Sequence, residues 1–397
     1  MHDATAALIA KQPSGFALQQ PFYADAAIFE REVERIFLRS WLYVGHQSQI
    51  PAKGDYFLFE IAGESLIVVR TGDNEISGML NVCRHRGSRI CLEASGRAKR
   101  FVCRYHGWTY RLNGSLSAAA YVDETFDKAS YGLKRVDTKV FHGLIFVNFD
   151  SDAASFSAIA QDLDDAMIPY GLGRAKVAHK ANYPIQANWK LAVENYCECY
   201  HCRAAHPEYS KYHGRALPDE ETDAQLAEVM ERAEQVGLTR DCLRRSWLDA
   251  GQIGTDRGFE RYALLGGCLT GSRDGKPLAP LLGDLRDYDG GATDIHIGPV
   301  TFFLAYCDHV VVYRFTPRTP QTTDCEITWL INESAEEGKD YDLSALTWLW
   351  DVTTIADKEI IENNQAGVSS RFYEPGPYTE MEDFTRRFSD WYLEVIK

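Results

Sequence analysis

The sequence predicts an α+β protein, in which an all-β N-terminal module precedes a domain of antiparallel sheet and helices. Two observations lead to this prediction. Residues 55–150 contain short apolar strands separated by turn signals such as the Asn113-Gly114 pair. Beyond residue 160, helical patterns flank a second run of strands.

We expect three segments along the chain. Residues 1–40, with the short helix "AIFEREVERIF", are predicted to pack on the second domain. Residues 41–155 form the β module, with strands such as "DYFLFEI", "SLIVVRT", "RFVCRYH", "WTYRL" and "GLIFVNF", and the stretch "NFDSDAAS" marks its end. Residues 156–397 form the second domain.

The second domain mixes helices and strands. "NWKLAVENYCECYH" is a helix candidate, and "PDEETDAQLAEVMERAEQVG" reads as a solvated helix from its charge and its apolar spacing. Four antiparallel strands follow: "TDIHIG", "TFFLAYC", "HVVVYRFTP" and "EITWLIN". A long helix then runs from about Asp342 to Gly367, the residue expected to stop it.

Composition excludes several classes of protein. The 397 residues are 45% hydrophobic and 25% charged, as in an ordinary globular protein, and the net charge of −15 argues against a nucleic-acid binder. No apolar run approaches the ~20 residues of a membrane span, and the N-terminus lacks a secretory signal pattern. The ten cysteines are few and scattered, which predicts a reduced, cytoplasmic protein whose cysteines act as ligands rather than disulfides.

The β module carries two cysteine–histidine pairs: Cys83 with His85, and Cys103 with His106. They fit either a structural Cys2His2 zinc site or a [2Fe–2S] cluster with cysteines on one iron and histidines on the other. Each loop contributes one residue of each kind, and this interleaving favours the cluster. Gly87 and Gly107 suit tight loops whose N–H groups can donate to cluster sulfurs.

A second constellation lies in "ENYCECYHCRAAHPEY", where Glu194, Glu198, His201 and His206 crowd together. On an unbroken helix the two histidines would point about 140° apart. Pro207 pushes His206 out of the α region, so both histidines can face one ion where the helix ends. Two histidines plus one carboxylate form the facial triad of non-haem Fe(II) chemistry. Histidines this close are often structural, but the neighbouring cluster signal favours iron.

Helix geometry indicates the third ligand. Asp357 shares a helix face with apolar residues, whereas Glu359 and Glu362 lie on the opposite side. An unpaired buried carboxylate is costly, so Asp357 needs a partner, either an arginine or a metal ion, and we predict the metal ion. The residues predicted on its face are Leu346, Trp350, Ile360, Ile361 and Asn364.

With these motifs, the chain resembles the terminal oxygenase (α) subunit of the Rieske non-haem iron oxygenases over essentially its whole length. The resemblance implies a Rieske [2Fe–2S] domain followed by a catalytic domain of the helix-grip type. It assigns the cluster ligands to Cys83, His85, Cys103 and His106. It assigns the mononuclear iron ligands to His201, His206 and Asp357.

The resemblance also implies a role for Glu198, which is Asp in many relatives. In the family this carboxylate bridges a cluster histidine of the adjacent subunit to an iron-ligating histidine, within a homotrimer. The motif "ECYHC" and the tail "ENNQAGVSSRFYEPGPYTEMEDF" resemble the branch of glycine betaine and proline betaine demethylases and carnitine oxygenase. O2-dependent hydroxylation and N-demethylation of a small quaternary ammonium compound is therefore expected, with an aromatic carboxylate as the alternative substrate.

Electrons are expected from a separate NAD(P)H-dependent flavin/iron–sulfur reductase. The loop "GRAKR" (Arg97, Lys99, Arg100) is basic in an acidic chain, so it is either a solvated loop or a docking patch for this reductase. Two rival functions remain at this point: a Rieske-type electron carrier with an accessory domain, and a structural zinc protein. The second triad argues against the electron carrier, which needs no such triad, and visible absorption with metal analysis would separate all three functions.

Overall fold

The computed structural model describes residues 2–152, 154–238, 254 and 256–397. No helix in these ranges is long and apolar enough to cross a membrane. The described α-helices are α1 (His2–Lys11), α2 (Gln20–Ala24), α3 (Ala26–Glu32), α4 (Ser157–Met167), α5 (Trp189–Cys197), α6 (Cys202–Ala205), α7 (Pro207–Ser210), α8 (Asp219–Val236), α9 (Leu343–Val368) and α10 (Asp383–Val395).

Sixteen strands are described, and all of their pairings are antiparallel. They are β1 (Leu42–His46), β2 (Asp55–Ile61), β3 (Glu64–Gly72), β4 (Glu75–Leu80), β5 (Ser95–Arg97), β6 (Phe101–Val102), β7 (Thr109–Tyr110), β8 (Leu116–Ala118), β9 (Arg135–Phe141), β10 (Leu144–Asn148), β11 (Ala175–Ile185), β12 (Arg257–Ala263), β13 (Gly291–Ile297), β14 (Thr301–Ala305), β15 (His309–Thr319) and β16 (Thr322–Asn332).

The N-terminal module is all-β, as predicted. Seven strands form one sheet in the order β1-β10-β9-β4-β3-β2-β5, and a small sheet of β6, β7 and β8 lies beside it. The predicted strands "RFVCRYH" and "WTYRL" shrink to two residues each, because the chain turns sharply between them. The first cysteine–histidine pair lies between β4 and β5, and the second between β6 and β7.

The second domain is built on a six-stranded sheet in the order β11-β16-β15-β14-β13-β12, with α9 packed against it. Tyr313 on β15 lies 2.9 Å from Thr354 of α9 between hydroxyl oxygens, and the Tyr183 hydroxyl on β11 donates to Asp351. The sequence predicted antiparallel strands with a long helix, and the sheet packed against α9 agrees with the helix-grip type that the resemblance implies. The predicted helix "PDEETDAQLAEVMERAEQVG" is α8, which ends at left-handed Gly237.

Helix α9 follows its predicted face in part, since Ile360 and Glu362 are both partly buried. Leu346, Trp350 and Ile361 are buried, but Asn364 is exposed. The helix continues through Val368, one residue beyond the glycine expected to stop it, since that glycine keeps helical geometry.

The N-terminal helices contact the second domain through a buried polar group. Glu32 accepts hydrogen bonds from the Trp189 indole and the Tyr392 hydroxyl, and its carboxylate pairs with the Lys190 ammonium. Because each buried charge has a partner, this arrangement avoids the cost of an isolated ion in the interior. The division of the chain near residues 40 and 155 stays a prediction, and Ala153 in that second boundary lies outside the described residues.

Candidate metal centres

The two loops that carry the cysteine–histidine pairs repeat one backbone pattern. The Gly87 N–H donates to the Cys83 carbonyl at 2.9 Å, and the Gly107 N–H donates to the Cys103 carbonyl at 3.0 Å. In both loops the cysteine N–H donates to the carbonyl five residues on. Both glycines have positive φ, +79° and +72°, where a side chain would be strained. The backbone conformation of each loop therefore favours glycine after the cysteine–histidine pair.

The side chains of these loops divide by burial. Cys83 and Cys103 are buried, whereas His85 and His106 are exposed. The two histidine Nδ1 atoms face each other at 3.0 Å, and the His85 ring stacks on Trp108 with its plane tilted by only 9°. This arrangement suits a cluster whose inner iron takes two thiolates and whose outer iron takes two imidazoles.

The zinc alternative requires four ligand atoms around one ion. Within the described ranges, a single group of three or more ligand-type side chains brings its atoms within 4.8 Å of one another, and it lies in the second domain. The four β-module residues are not so gathered, which fits a two-iron cluster better than one tetrahedral ion.

Tyr110 contacts the cluster loop and was not anticipated from the sequence. Its hydroxyl lies 3.2 Å from the Cys83 sulfur and accepts a hydrogen bond from the Arg84 N–H at 3.1 Å. Burial raises the pKa of Tyr110, so the hydroxyl keeps its proton. Since the oxygen already accepts from Arg84, that proton points to the sulfur. Hydrogen bonds to cluster sulfurs are one determinant of the reduction potential.

The histidine segment of the second domain folds as a broken helix. The predicted helix over "NWKLAVENYCECYH" ends at Cys197, four residues early, because Glu198 takes an extended conformation with φ −127° and ψ 158°. One Glu198 oxygen then accepts from the Tyr200 and His201 N–H groups. His206 leaves the α region before Pro207, as predicted, with φ −129° and ψ 68°.

These breaks bring the predicted triad together with Asp357 of α9. One Asp357 oxygen lies 2.7 Å from His206 Nε2 and 3.3 Å from His201 Nε2. The triad is the group whose ligand atoms lie within 4.8 Å of one another. On the far side of its ring, His201 Nδ1 lies 2.5 Å from the second Glu198 oxygen. Glu198 thus orients one imidazole without facing the ion position.

The electrostatics of this group suit a cation. Burial acts to raise the pKa of Asp357, but hydrogen bonds from His201 and His206 outweigh it and lower that pKa. Burial acts to lower the pKa of His201, but Asp357 and Glu198 together raise it to about 9. Two carboxylates therefore favour positive charge in this group, and a metal ion held by the two imidazoles and Asp357 would supply it.

Glu194, the other carboxylate of the motif, takes no part in this group. Both of its oxygens accept from the Tyr23 hydroxyl, at 2.9 and 3.0 Å. Burial raises the pKa of Glu194 to about 8. Glu194 therefore links α5 to Tyr23 of the N-terminal segment, and in the described structure its carboxylate forms no hydrogen bond with the histidines that lie near it in sequence.

A cavity adjoins the triad, and all three triad residues line it. The charged groups at its edge are already paired: Arg215 with Asp294, and Lys358 with Glu362. The hydroxyl of Tyr196 and the indole nitrogen of Trp350 have no hydrogen-bond partner among the residues that the structure describes. Sequence reasoning could not select these side chains from the many aromatics of the core. The aromatic residues that line the cavity are Tyr196, Tyr209, Tyr313, Phe315 and Trp350.

The structure corrects the expectation about cysteines. Cys199 and Cys202 form a disulfide that spans Tyr200 and His201. A spacing of two residues across this turn brings the two Cα atoms to 4.9 Å, within bonding range. The described cysteines elsewhere in the chain are free thiols.

Glu198 lines both this cavity and a second opening, the outer cleft. The outer cleft is also lined by Cys199, and its acidic residues Glu220, Glu260, Glu380 and Asp383 outnumber its two arginines, Arg215 and Arg387. The exposed cluster tip, in contrast, is basic around Arg86.

In the basic loop "GRAKR", one of the three basic residues is not a free surface charge. Arg97 forms an ion pair with Asp55, so its charge is partly neutralised. Lys99 and Arg100 are exposed.

Two family models match the chain. The Rieske [2Fe-2S] domain matches residues 40–132, and the ring hydroxylating alpha subunit (catalytic domain) matches residues 172–397. The matched ranges contain, respectively, the cysteine–histidine loops and the whole triad.

Similar proteins are found along the full length. The glycine betaine monooxygenase oxygenase subunit of Chromohalobacter salexigens is 36% identical, over 99% of this chain and 89% of the relative. The corresponding subunit of Pseudomonas aeruginosa is 35% identical, over 98% and 91%. A crystal structure of the quaternary ammonium Rieske monooxygenase CntA with an inhibitor has a similar fold, with a TM-score of 0.73, 23% identity and 98% of both chains covered.

Proposed function

The chain belongs to the family of ring-hydroxylating alpha subunits, Rieske oxygenases with a [2Fe–2S] cluster and a mononuclear iron, and from this premise we propose that it hydroxylates and N-demethylates a small quaternary ammonium compound such as a betaine. The observation that carries the proposal is the aromatic cavity beside the His201, His206 and Asp357 triad. The full-length similarity to glycine betaine monooxygenase subunits supports the same substrate class.

The cavity suits a cation that cannot donate hydrogen bonds. A quaternary ammonium has no N–H group, so aromatic faces recognise it through cation–π attraction. Tyr196, Tyr313 and Trp350 offer such faces. The Tyr196 hydroxyl and the Trp350 indole N–H, which have no hydrogen-bond partner in the described residues, can donate to the carboxylate of a betaine. The cavity-edge cations Arg215 and Lys358 are already ion-paired, so they do not repel the substrate as free charges would.

The side chains then divide the work of the site. His201, His206 and Asp357 would hold Fe(II), which when bound supplies the reduction of O2 and the oxidation of a C–H bond. Glu198 fixes the tautomer of His201 by accepting from Nδ1. The aromatic wall holds the N-methyl group and excludes water. Hydroxylation of that methyl gives a hemiaminal that collapses to formaldehyde and the demethylated amine.

We also propose that Cys83, His85, Cys103 and His106 hold the cluster, and that electrons cross between subunits of a homotrimer. His85 and His106 are exposed at a basic tip, and Glu198 lines an acidic cleft. Charge complementarity therefore favours docking of one copy's tip in the next copy's cleft. A head-to-tail interface that closes produces a ring.

A separate NAD(P)H-dependent flavin/iron–sulfur reductase would supply the electrons, in the cytoplasm. Of the basic loop, Lys99 and Arg100 are the exposed positions that can attract an acidic partner, because Arg97 already contacts Asp55.

Substrate-dependent O2 uptake and formaldehyde release test the proposed function. Glycine betaine, proline betaine and carnitine should be compared with aromatic carboxylates, using the purified chain, a reductase and NAD(P)H. We expect both signals with one of the quaternary compounds and neither with the aromatic acids. Oxygen uptake with an aromatic acid, without formaldehyde, would replace the proposal with the ring-hydroxylating alternative.

Mixed rings test transfer between subunits. Cys103→Ser removes a cluster ligand and Asp357→Ala removes an iron ligand, so each variant should be inactive alone. Co-expressed with different tags and purified as mixed rings, they should regain part of the wild-type turnover, because an intact cluster can face an intact iron site. Metal-loaded mixed rings that stay inactive would show that each chain uses its own two centres.

A further inference from the structure

The disulfide between Cys199 and Cys202 lies inside the segment that presents His201. The two sulfurs close a ring around Tyr200 and His201, and the Cys202 N–H donates to the Cys199 carbonyl at 3.2 Å. The Cys202 sulfur lies 3.9 Å from His201 Nε2, the nitrogen that faces Asp357. This bond therefore bears on the geometry of the proposed iron ligand.

Both cysteines are reachable from solvent-connected space although they are mostly buried. Cys199 lines the cavity beside the triad and also the outer cleft, and Cys202 lines the cavity. A small neutral oxidant in either space can therefore reach a sulfur. Disulfides in reducing compartments are usually transient, and serve catalysis or redox sensing rather than stability.

We propose that Cys199 and Cys202 form a reversible dithiol–disulfide site, oxidised by hydrogen peroxide, whose disulfide form clamps the turn that carries His201. The clamp on the metal ligand rests on the proposed function, while the peroxide chemistry stands without it. An oxygenase supplies the oxidant itself, because two-electron reduction of O2 that is not coupled to hydroxylation yields H2O2.

The oxidation balances without a further reagent. One thiolate attacks a peroxide oxygen, the O–O bond breaks, and a sulfenic acid and water form. The second thiol attacks the sulfenic sulfur, the S–S bond forms, and a second water leaves. Two thiols thus give two electrons to one H2O2. A cellular dithiol restores the pair by thiol–disulfide exchange.

The two redox forms differ in how the turn is held. In the disulfide form, which the structure shows, Glu198 binds His201 through the Nδ1 atom and the backbone N–H. The disulfide adds a covalent restraint across the same residue, and its loss leaves a free Cys202 thiol near Nε2. Because groups that orient a metal ligand typically change metal affinity by 10–100-fold, the disulfide form should retain iron longer.

The first arm of the test uses metal-free, full-length protein. After reduction with dithiothreitol and removal of the reductant, one equivalent of H2O2 is added, and remaining thiols are alkylated and located by tandem mass spectrometry. Cys199 and Cys202 should lose their thiols together and form a disulfide with each other. Cys325, a buried thiol lining the same cavity, should keep its thiol and be recovered in alkylated form. Two thiols that survive peroxide, or that oxidise separately to sulfinic acids, would overturn the proposal.

The second arm follows mononuclear iron through the EPR signal of its nitric oxide adduct during chelator challenge. Reduced protein and the double variant Cys199→Ser/Cys202→Ser should each lose this iron about tenfold faster than the disulfide form. Cys325→Ser is the matched control and should follow the wild type. Equal loss rates in both redox forms would refute the clamp. If Cys199 and Cys202 oxidise as expected but the protein never binds mononuclear iron, the proposed function would be wrong and the redox site would remain.

Discussion

The two metal-binding regions are held by different means. The cluster loops are two short turns with the same backbone hydrogen bonds, each closed by a glycine with positive φ, and their histidines face outward. The iron triad joins side chains more than 150 residues apart in sequence, and side chains rather than backbone orient it. The comparison teaches that each proposed cluster loop is shaped by its own backbone hydrogen bonds, whereas the proposed iron site depends on how α9 packs.

Removal of the Asp357 carboxylate should have the most different effects on the two regions. Asp357→Ala should abolish turnover and reduce the iron content from about three to about two atoms per chain, because only the mononuclear site loses a ligand. The cluster should keep its visible absorption and EPR spectra. Metal analysis with these spectra measures both effects.

Glu359→Ala provides the control, since Glu359 is an exposed carboxylate on the same helix. It should leave iron content and turnover at wild-type values. Retention of mononuclear iron by Asp357→Ala would mean that another carboxylate is the ligand, and that the packing of α9 does not define the site.

We propose that Glu198 connects the two regions across the subunit interface, so its neutralisation should slow turnover while both centres stay occupied. In Glu198→Gln the single amide oxygen can accept from His201 Nδ1. The NH2 group then faces the Tyr200 and His201 N–H groups, so three donors meet without an acceptor. We expect turnover to fall about 100-fold, the upper range for a group that orients a metal ligand.

Stopped-flow oxidation of a pre-reduced cluster would report the electron-transfer step directly. Glu198→Asp keeps the charge on a shorter side chain and should recover part of the rate that Glu198→Gln loses. Wild-type rates in Glu198→Gln would show that electrons bypass this carboxylate, and the two regions would then have no such connection.

The same contrast explains what the sequence could predict. The fold class, the two-loop cluster motif and the break at His206 follow from short-range rules on strands, glycine and proline. Asp357 was predicted as the third ligand because a single carboxylate on an apolar helix face needs a partner, and the structure places it beside both histidines. Each of these inferences uses patterns of residues that are close together in the sequence.

What the sequence could not predict depends on contacts between elements. The early end of α5 follows from the side-chain cap that Glu198 forms, and Arg97 is neutralised by Asp55 across two strands. The cavity aromatics come from α5, α7, β15 and α9, and nothing in their local sequence separates them from core residues. The Cys199–Cys202 bond was missed because composition predicted free thiols.

Tyr110 provides the smallest and most selective test, because it acts on the cluster region alone. Its hydroxyl donates to the Cys83 sulfur, and such bonds stabilise the more negative, reduced cluster. Tyr110→Phe should therefore lower the cluster reduction potential by tens of millivolts, since a bond of ~1.4 kcal/mol corresponds to about 59 mV in a one-electron couple. Protein-film voltammetry measures this shift. Tyr313→Phe removes a buried hydroxyl near the iron triad and should leave the cluster potential unchanged. An unchanged potential in Tyr110→Phe would show that the sulfur receives no such bond, and that the loop backbone alone tunes the cluster.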